Sequence, residues 1–234
     1  MALAIPTPVM PDDFALQQNS RNKLESIIDG TILMPGNGLS GILLYGTYGT
    51  GKTTMAKLLP GWLETAKTTN YLKLGVPGQI IDTGQPVYDY MPCAQGQNGA
   101  QMITQIDQRT SLISWNTSGL HYLILDEVDL LTTAAIASLK SVMNRPNVVF
   151  ILTTNHLNKI DRGVQNRSVL LDLNAAPTNA WIQKITQIYS LNGLSPLPAA
   201  AIAGIVTAGN GSARTIFTDL CMAESLKNKT GVKP

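Results

Sequence analysis

The chain of 234 residues has room for one large domain, or for one domain with a small appendage, and its 17 basic against 15 acidic side chains leave a net charge of +2, too little for a broadly basic nucleic-acid face. No apolar run approaches the ~18 residues of a membrane span, and the start Met1-Ala2-Leu3-Ala4-Ile5-Pro6 lacks the basic and long apolar regions of a secretory signal. Cys93 and Cys221 stand far apart without C-x-x-C spacing, which argues against zinc and a disulfide framework and for buried free thiols in a cytoplasmic protein.

Residues 1–13 carry prolines at 6, 8 and 11 and read as an extended arm. The apolar spacing from Phe14 to Gly30 then predicts one helix, with Asp12 or Asp13 as its cap. Gly36-Asn37-Gly38 marks a loop into Gly41-Ile42-Leu43-Leu44-Tyr45, a short apolar run that predicts a buried strand. Directly after it, Gly46-Thr47-Tyr48-Gly49-Thr50-Gly51-Lys52-Thr53 satisfies G-x-x-x-x-G-K-[ST] at every position. Thr54-Met55-Ala56-Lys57-Leu58-Leu59 continues with amphipathic helix spacing, so the loop joins a strand to a helix expected to run to about Ala66.

That context makes the loop a phosphate cradle. Glycines at 46, 49 and 51 allow successive backbone N–H groups to turn inward at a helix N-terminus, where the helix dipole also favours an anion. The expected nucleotide-binding residues are Gly46, Tyr48, Gly49, Thr50, Gly51, Lys52, Thr53 and Thr54, for ATP with Mg2+. Lys52 would reach the β and γ phosphates. Thr53 would give its hydroxyl to the ion, which takes few protein ligands.

Residues 67–86 read as a loop longer than compact domains usually contain, either functional or an insertion. Val87 to Met91 predicts a strand, and Gly99 to Ser114 a helix capped at Asn98. His121-Tyr122-Leu123-Ile124-Leu125 is an apolar strand that ends abruptly in Asp126-Glu127-Val128-Asp129. With the phosphate loop upstream, Asp126 is the expected carboxylate for Mg2+ or its water shell, and Glu127, one residue on, the group that polarises an attacking water. Thr132 to Asn144 predicts a helix. Val148 to Asn155 predicts a buried strand whose polar tip, Asn155, either orients water beside the γ phosphate or simply forms a turn. A short helix or turn over 157–166 leads to Arg167 and a fifth strand, Val169 to Leu173.

Ala175-Ala176-Pro177 breaks this pattern and opens three predicted helices, Trp181 to Leu191, Pro198 to Ala208, and Arg214 to about Lys227. Ser212 suits an N-cap of the third. Arg214 in its first turn opposes the helix dipole, so it is either there for another reason or is a solvated charge.

The order of motifs resembles the AAA+ ATPases, and within them the clamp-loader group, the replication factor C small subunits and related phage and bacterial loader ATPases. The resemblance covers nearly the whole chain: GTYGTGKTT is similar to Walker A, LILDEVDLLT to Walker B, LTTN to sensor 1, NRS to the Ser-Arg-Cys box and GSAR to sensor 2, with Ala134, Ala135, Leu139 and Met143 spaced as in loader subunits. It implies a P-loop α/β fold with a parallel five-stranded sheet of order 5-1-4-3-2 over residues 1–174 and a three-helix lid over 175–234. By that order Asn155 lies beside the γ phosphate. The resemblance also makes Glu127, Asn155, Arg167 and Arg214 catalytic. Arg214 would touch the γ phosphate in cis from the lid, and Arg167, with Arg162 as its rival, would be a finger reaching a neighbour's ATP, which requires a ring or spiral homo- or hetero-oligomer. The implied partners are a sliding clamp and primed DNA, with no membrane. The helical collar of loader subunits has no counterpart in the motif set, so assembly is expected to rest on the ATPase modules or on another protein.

Overall fold

The structure is a computed structural model that describes residues 3–73, 86–94, 99–174 and 176–230. Its strands are β1 Gly41–Tyr45, β2 Tyr88–Pro92, β3 His121–Asp126, β4 Val148–Thr154 and β5 Ser168–Asp172. Its helices are α1 Gln18–Ile28, α2 Lys52–Lys73, α3 Gly99–Thr110, α4 Thr133–Val142, α5 Arg162–Asn166, α6 Thr178–Leu191, α7 Ala199–Ala208 and α8 Ala213–Thr230. They fall into two compact units, one of residues 19–46 and 52–171, the other of residues 1–18, 47–51 and 172–234.

In the larger unit the sheet order is β2-β3-β4-β1-β5, the expected order read from the opposite edge. Pairing is parallel, with Gly41 opposite Phe150, His121 opposite Val148 and Tyr88 opposite Tyr122. Side chains alternate across a strand, and here both faces are covered. Leu43, Leu123, Leu125, Phe150 and Leu152 join Met102 and Ile106 of α3 and Leu139 and Val142 of α4 in one core. Ile42, Leu44, Ile124, Val149 and Ile151 are fully buried on the other face, and α2 packs against β1, β3 and β4. Burial on both sides is why these strands read as unbroken apolar runs. Each such side chain contributes about 1.5–3 kcal/mol.

Several helix boundaries differ from the sequence reading: α3 ends at Thr110 rather than Ser114, α6 starts at Thr178 rather than Trp181, and two further shifts have a visible cause. The chain from Phe14 to Gln17 is not helical: Phe14 has extended backbone, and Phe14 and Leu16 are buried and their neighbours less so, a period of two. Neither Asp12 nor Asp13 caps α1; Asp13 Oδ2 instead accepts the N–H groups of Val9 and Met10, closing a 3-10 turn over Pro11–Asp13. At the other end, α2 runs through Pro60 to Lys73, so the expected loop at 67–86 starts later. Its remaining residues 74–85, the cap expected at Asn98 and the break residue Ala175 lie outside the described residues. A proline inside a helix costs ~3 kcal/mol, and Leu59, Leu63 and Glu64, all buried, hold the helix against that cost.

The smaller unit has its own core, from Trp181, Ile185, Ile188 and Tyr189 of α6, Ile202 and Val206 of α7, and Ile216 and Leu220 of α8. Leu3 completes it. The N-terminal arm is thus part of the helical unit, tied by a reciprocal amide pair in which Ala4 N donates to Asn192 Oδ1 and Asn192 Nδ2 donates to Ala4 O, each at 2.9 Å.

Candidate nucleotide site

In the larger unit the carboxyl ends of β1, β3 and β4 bring six of the expected residues together: Gly46, Lys52, Thr53, Asp126, Glu127 and Asn155. Lys52, first residue of α2, is 7% exposed and donates from Nζ to Gly46 O at 2.8 Å. Burial pulls its ammonium below the usual lysine range, opposed by Asp126, Glu127 and Asp129. Thr53 follows, and its hydroxyl donates to both oxygens of Asp126, at 3.0 and 3.1 Å. Thr54 is exposed.

Asp126 ends β3 and is buried, yet it is fully hydrogen-bonded: besides Thr53, the Thr153 hydroxyl donates to Oδ1 at 2.5 Å and the Tyr90 hydroxyl to Oδ2 at 2.7 Å. Burial and the Asp126 bond push the Tyr90 phenol up to about 12. Burial, with Asp126 next, pushes the Cys93 thiol to about 12 as well, so this buried cysteine stays a neutral thiol. Glu127 turns sharply out of the strand at φ 60 and ψ 50, with its side chain exposed and its N–H given to Thr153 Oγ1 at 2.9 Å. On neighbouring β4, Thr154 Oγ1 donates to Asp129 Oδ1 at 2.7 Å, and the Asn155 N–H points at the same oxygen from 3.4 Å. Asn155 is half-buried.

Thr153, Tyr90 and Asp129 are the members sequence reading missed. Thr153 carries a weak signal, a hydroxyl two residues before a polar strand tip. Tyr90 carries none, because only the pairing of β2 with β3 brings it to Asp126.

Arg167 lies at the far end of β1, away from this cluster along the strand. Its backbone carbonyl accepts the N–H groups of Ser40 and Gly41, Nε donates to Asn144 Oδ1 at 3.0 Å, and Nη1 donates to Gly163 O at 3.0 Å. Arg162, which opens α5, is exposed.

The smaller unit holds the middle of the phosphate loop. Thr50 Oγ1 donates to Thr47 O at 3.1 Å, and Thr47 N to Asn174 Oδ1 at 3.0 Å. Tyr48 is 66% exposed. Gly49 has φ 79, and a Cβ there would lie 2.5 Å from Ser212 Oγ and 3.3 Å from Arg214 Cβ, so both conformation and space require glycine. Gly49 O accepts the Arg214 N–H at 3.2 Å, while Ser212 Oγ accepts the Thr215 N–H at 3.3 Å as the N-cap of α8. Arg214 therefore sits against the loop with its side chain exposed.

The donor set suits Mg2+: a hydroxyl and a carboxylate on hard oxygen atoms, adjacent and oriented, for an ion that retains most of its waters. The parallel sheet, the loop and this pairing define a P-loop nucleoside-triphosphatase. Residues 42–171 match the ATPase family associated with various cellular activities (AAA). The chain belongs to that family of ATP-hydrolysing enzymes.

Over 162 residues it is 27% identical to replication factor C small subunit 2 of Pyrobaculum islandicum, covering 65% of this chain and 43% of that relative. The chain thus spans less than half the length of the curated relative it matches. RuvB of Thermotoga maritima, described as a Holliday junction branch migration motor, is similar in structure, with a TM-score of 0.65 at 19% identity over 97% of this chain and 67% of RuvB. A RuvB variant with one substitution gives 0.66 at the same identity and coverage. At that identity the likeness concerns the fold alone. Among the described residues no helix is long and apolar enough to cross a membrane.

Proposed function

We propose that this chain binds Mg2+ and ATP and hydrolyses the nucleotide as one subunit of a ring or spiral that acts as a clamp-loader-type DNA replication ATPase. The observation that carries the ATPase part is the Thr53–Asp126 pair, fixed beside an exposed Glu127 and a buried Lys52. When bound, Mg2+ and ATP supply the γ-phosphoryl group to be transferred and a cation that neutralises its charge.

The chain's own residues would divide the rest. The backbone amides of Gly49 to Gly51 receive phosphate oxygens. Lys52 exchanges the Gly46 carbonyl for the β and γ phosphates, a better partner for an ammonium than a neutral oxygen. Thr53 and Asp126 hold the ion. Glu127, tied to the cluster by its backbone N–H with its side chain exposed, accepts a proton from water, and Asn155 orients that water. Arg214, against Gly49 in its own unit, reads the γ phosphate from the lid of residues 175–234, coupling nucleotide state to lid position. Arg167 of a neighbouring copy completes the site with positive charge, an effect of roughly 10³ to 10⁵ in rate when supplied in trans.

The clamp-loader assignment rests on the match to the replication factor C subunit and on the motif order. Two measurements test the reading. Lys52→Ala should abolish ATP binding, while Glu127→Gln should bind ATP normally and not turn it over; equal loss of binding in both would contradict the roles. A sliding clamp with primed DNA should then stimulate turnover of the wild-type chain. Stimulation by another partner, such as a replicative helicase, with none by clamp and primed DNA, would make it a loader for that partner instead.

A further inference from the structure

Asp126 collects hydroxyl donors from three different elements, and the three cannot have the same role. Thr53 comes from the start of α2, Thr153 from β4 and Tyr90 from the edge strand β2. The Thr53 hydroxyl is itself an expected ion ligand, so its bonds to Asp126 have to loosen when an ion enters. Thr153 and Tyr90 have no such second duty. Thr153 grips Oδ1 and Tyr90 grips Oδ2, and a carboxylate can turn about its Cβ–Cγ bond unless both oxygens are held. Both donors are neutral, so they orient the carboxylate without cancelling the charge a cation needs. A lysine or arginine in the place of Tyr90 would orient it and neutralise it together.

The Tyr90 ring is itself held. Lys57 Nζ stands 4.2 Å from the ring centroid, a cation–π contact. Lys57 lies four residues after Thr53 on α2, hence on the same helix face. One helix thus carries both an expected ion ligand and the clamp on the residue that aims the other.

We propose that Tyr90 is a positioning residue that fixes the Asp126 carboxylate for a divalent cation bound with nucleotide, with Lys57 holding the Tyr90 ring in place. The inference rests on the Mg2+ and ATP reading above. It adds a determinant of metal affinity that lies outside every motif of the chain.

Tyr90→Phe removes only the hydroxyl and keeps the ring over which Lys57 sits. The test is equilibrium binding of a fluorescent ADP to the full chain, first in EDTA and then across a Mg2+ titration, with no turnover involved. Tyr90→Phe should bind as wild type in EDTA and need roughly 10-fold more Mg2+ for half the gain in affinity, the lower end of what outer-shell partners of metal ligands contribute. Lys57→Met should shift the Mg2+ midpoint the same way by about 2- to 3-fold, and it carries the test if Tyr90→Phe melts early. A wild-type Mg2+ midpoint in both variants, or an equal loss with and without Mg2+, would overturn the inference. Wild-type protein whose nucleotide affinity ignores Mg2+ would overturn the underlying reading, and this one with it.

Discussion

Glu127 occupies a left-handed backbone conformation, at φ 60, that among the described non-glycine residues is shared only with Asn37 and Asn210. Asparagine adopts that region readily, whereas glutamate does so at a cost of order 1 kcal/mol. The bond from Glu127 N to Thr153 Oγ1 keeps the turn closed. Glu127→Asn should therefore leave stability equal or raise it by up to about 1 kcal/mol while turnover is lost, as read from a urea midpoint and a phosphate-release assay. A fall in stability would show that the Glu127 side chain packs, against its exposure. Asp13 gives a prediction for acid. Burial works against its charge, but Lys184 and the amides of Met10 and Val9 outweigh it and hold the carboxyl down to about 2. The native carboxyl thus binds its proton less tightly than the unfolded one. The stability it adds is full above about pH 4 and is lost as pH falls through about 2. With a third of the side chain exposed, that amount is about 1 kcal/mol after screening. Asp13→Asn should lower stability by that much at pH 7 and flatten its fall between pH 4 and 2; an unchanged slope would mean that Lys184 pairs only weakly.

At the scale of elements, what was legible in the sequence is what local pattern dictates. The three inner strands β1, β3 and β4 announce themselves because burial on both faces demands nearly unbroken apolar runs, and the Thr53–Asp126 pair because the loop motif sets residue types at fixed offsets from a strand end. What depended on distant partners was not legible. Phe14 and Leu16 read as helix because apolar residues at that spacing suit either period. Helix α2 read short because local propensity does not carry distant partners: Lys67, just past the expected end, donates from Nζ to Met34 O at 2.9 Å. Glu64 is the plainest case. It is 1% exposed and accepts Ser118 N and Ser118 Oγ, each at 2.7 Å, and Tyr122 Oη at 2.8 Å. A buried carboxylate so satisfied fastens α2 to the turn before β3 and raises the Tyr122 phenol, chiefly through burial and then through this bond. Glu64→Leu would leave the buried Tyr122 hydroxyl and two half-buried Ser118 donors without their acceptor, so a loss of about 3 kcal/mol is expected, measured as a drop in the urea midpoint with unchanged m-value. A loss within 0.5 kcal/mol, the usual range for surface changes, would mean that water takes over the donors.

For the whole molecule the question is whether the site is complete in one chain. Arg167 is held on the Asn144 side chain and the Gly163 carbonyl of its own copy, while Arg162, five residues earlier, is exposed. If Arg167 only pins α5, Arg167→Ala should lower thermal stability, and no other copy could repair it. As a finger it would give a different result. Arg167→Ala subunits would bind ATP normally and turn over none, because each still has its own Glu127 but offers no cation to its neighbour. Glu127→Gln subunits would be equally silent for the opposite reason, with an intact finger and a dead site. Mixed in equal amounts, they should recover activity that neither has alone. A site works when its own subunit is Arg167→Ala and the donor beside it is Glu127→Gln, so random assembly in a closed ring gives about a quarter of wild-type turnover per subunit. Arg162→Ala is the control and should keep most of its turnover without mixing. Rescue by mixing with Arg162→Ala near wild type assigns the trans role to Arg167, whereas silence of the Arg162→Ala protein with rescue in its own mixture assigns it to Arg162. Absence of rescue in both would make each chain a self-contained ATPase and remove the reason for an oligomer.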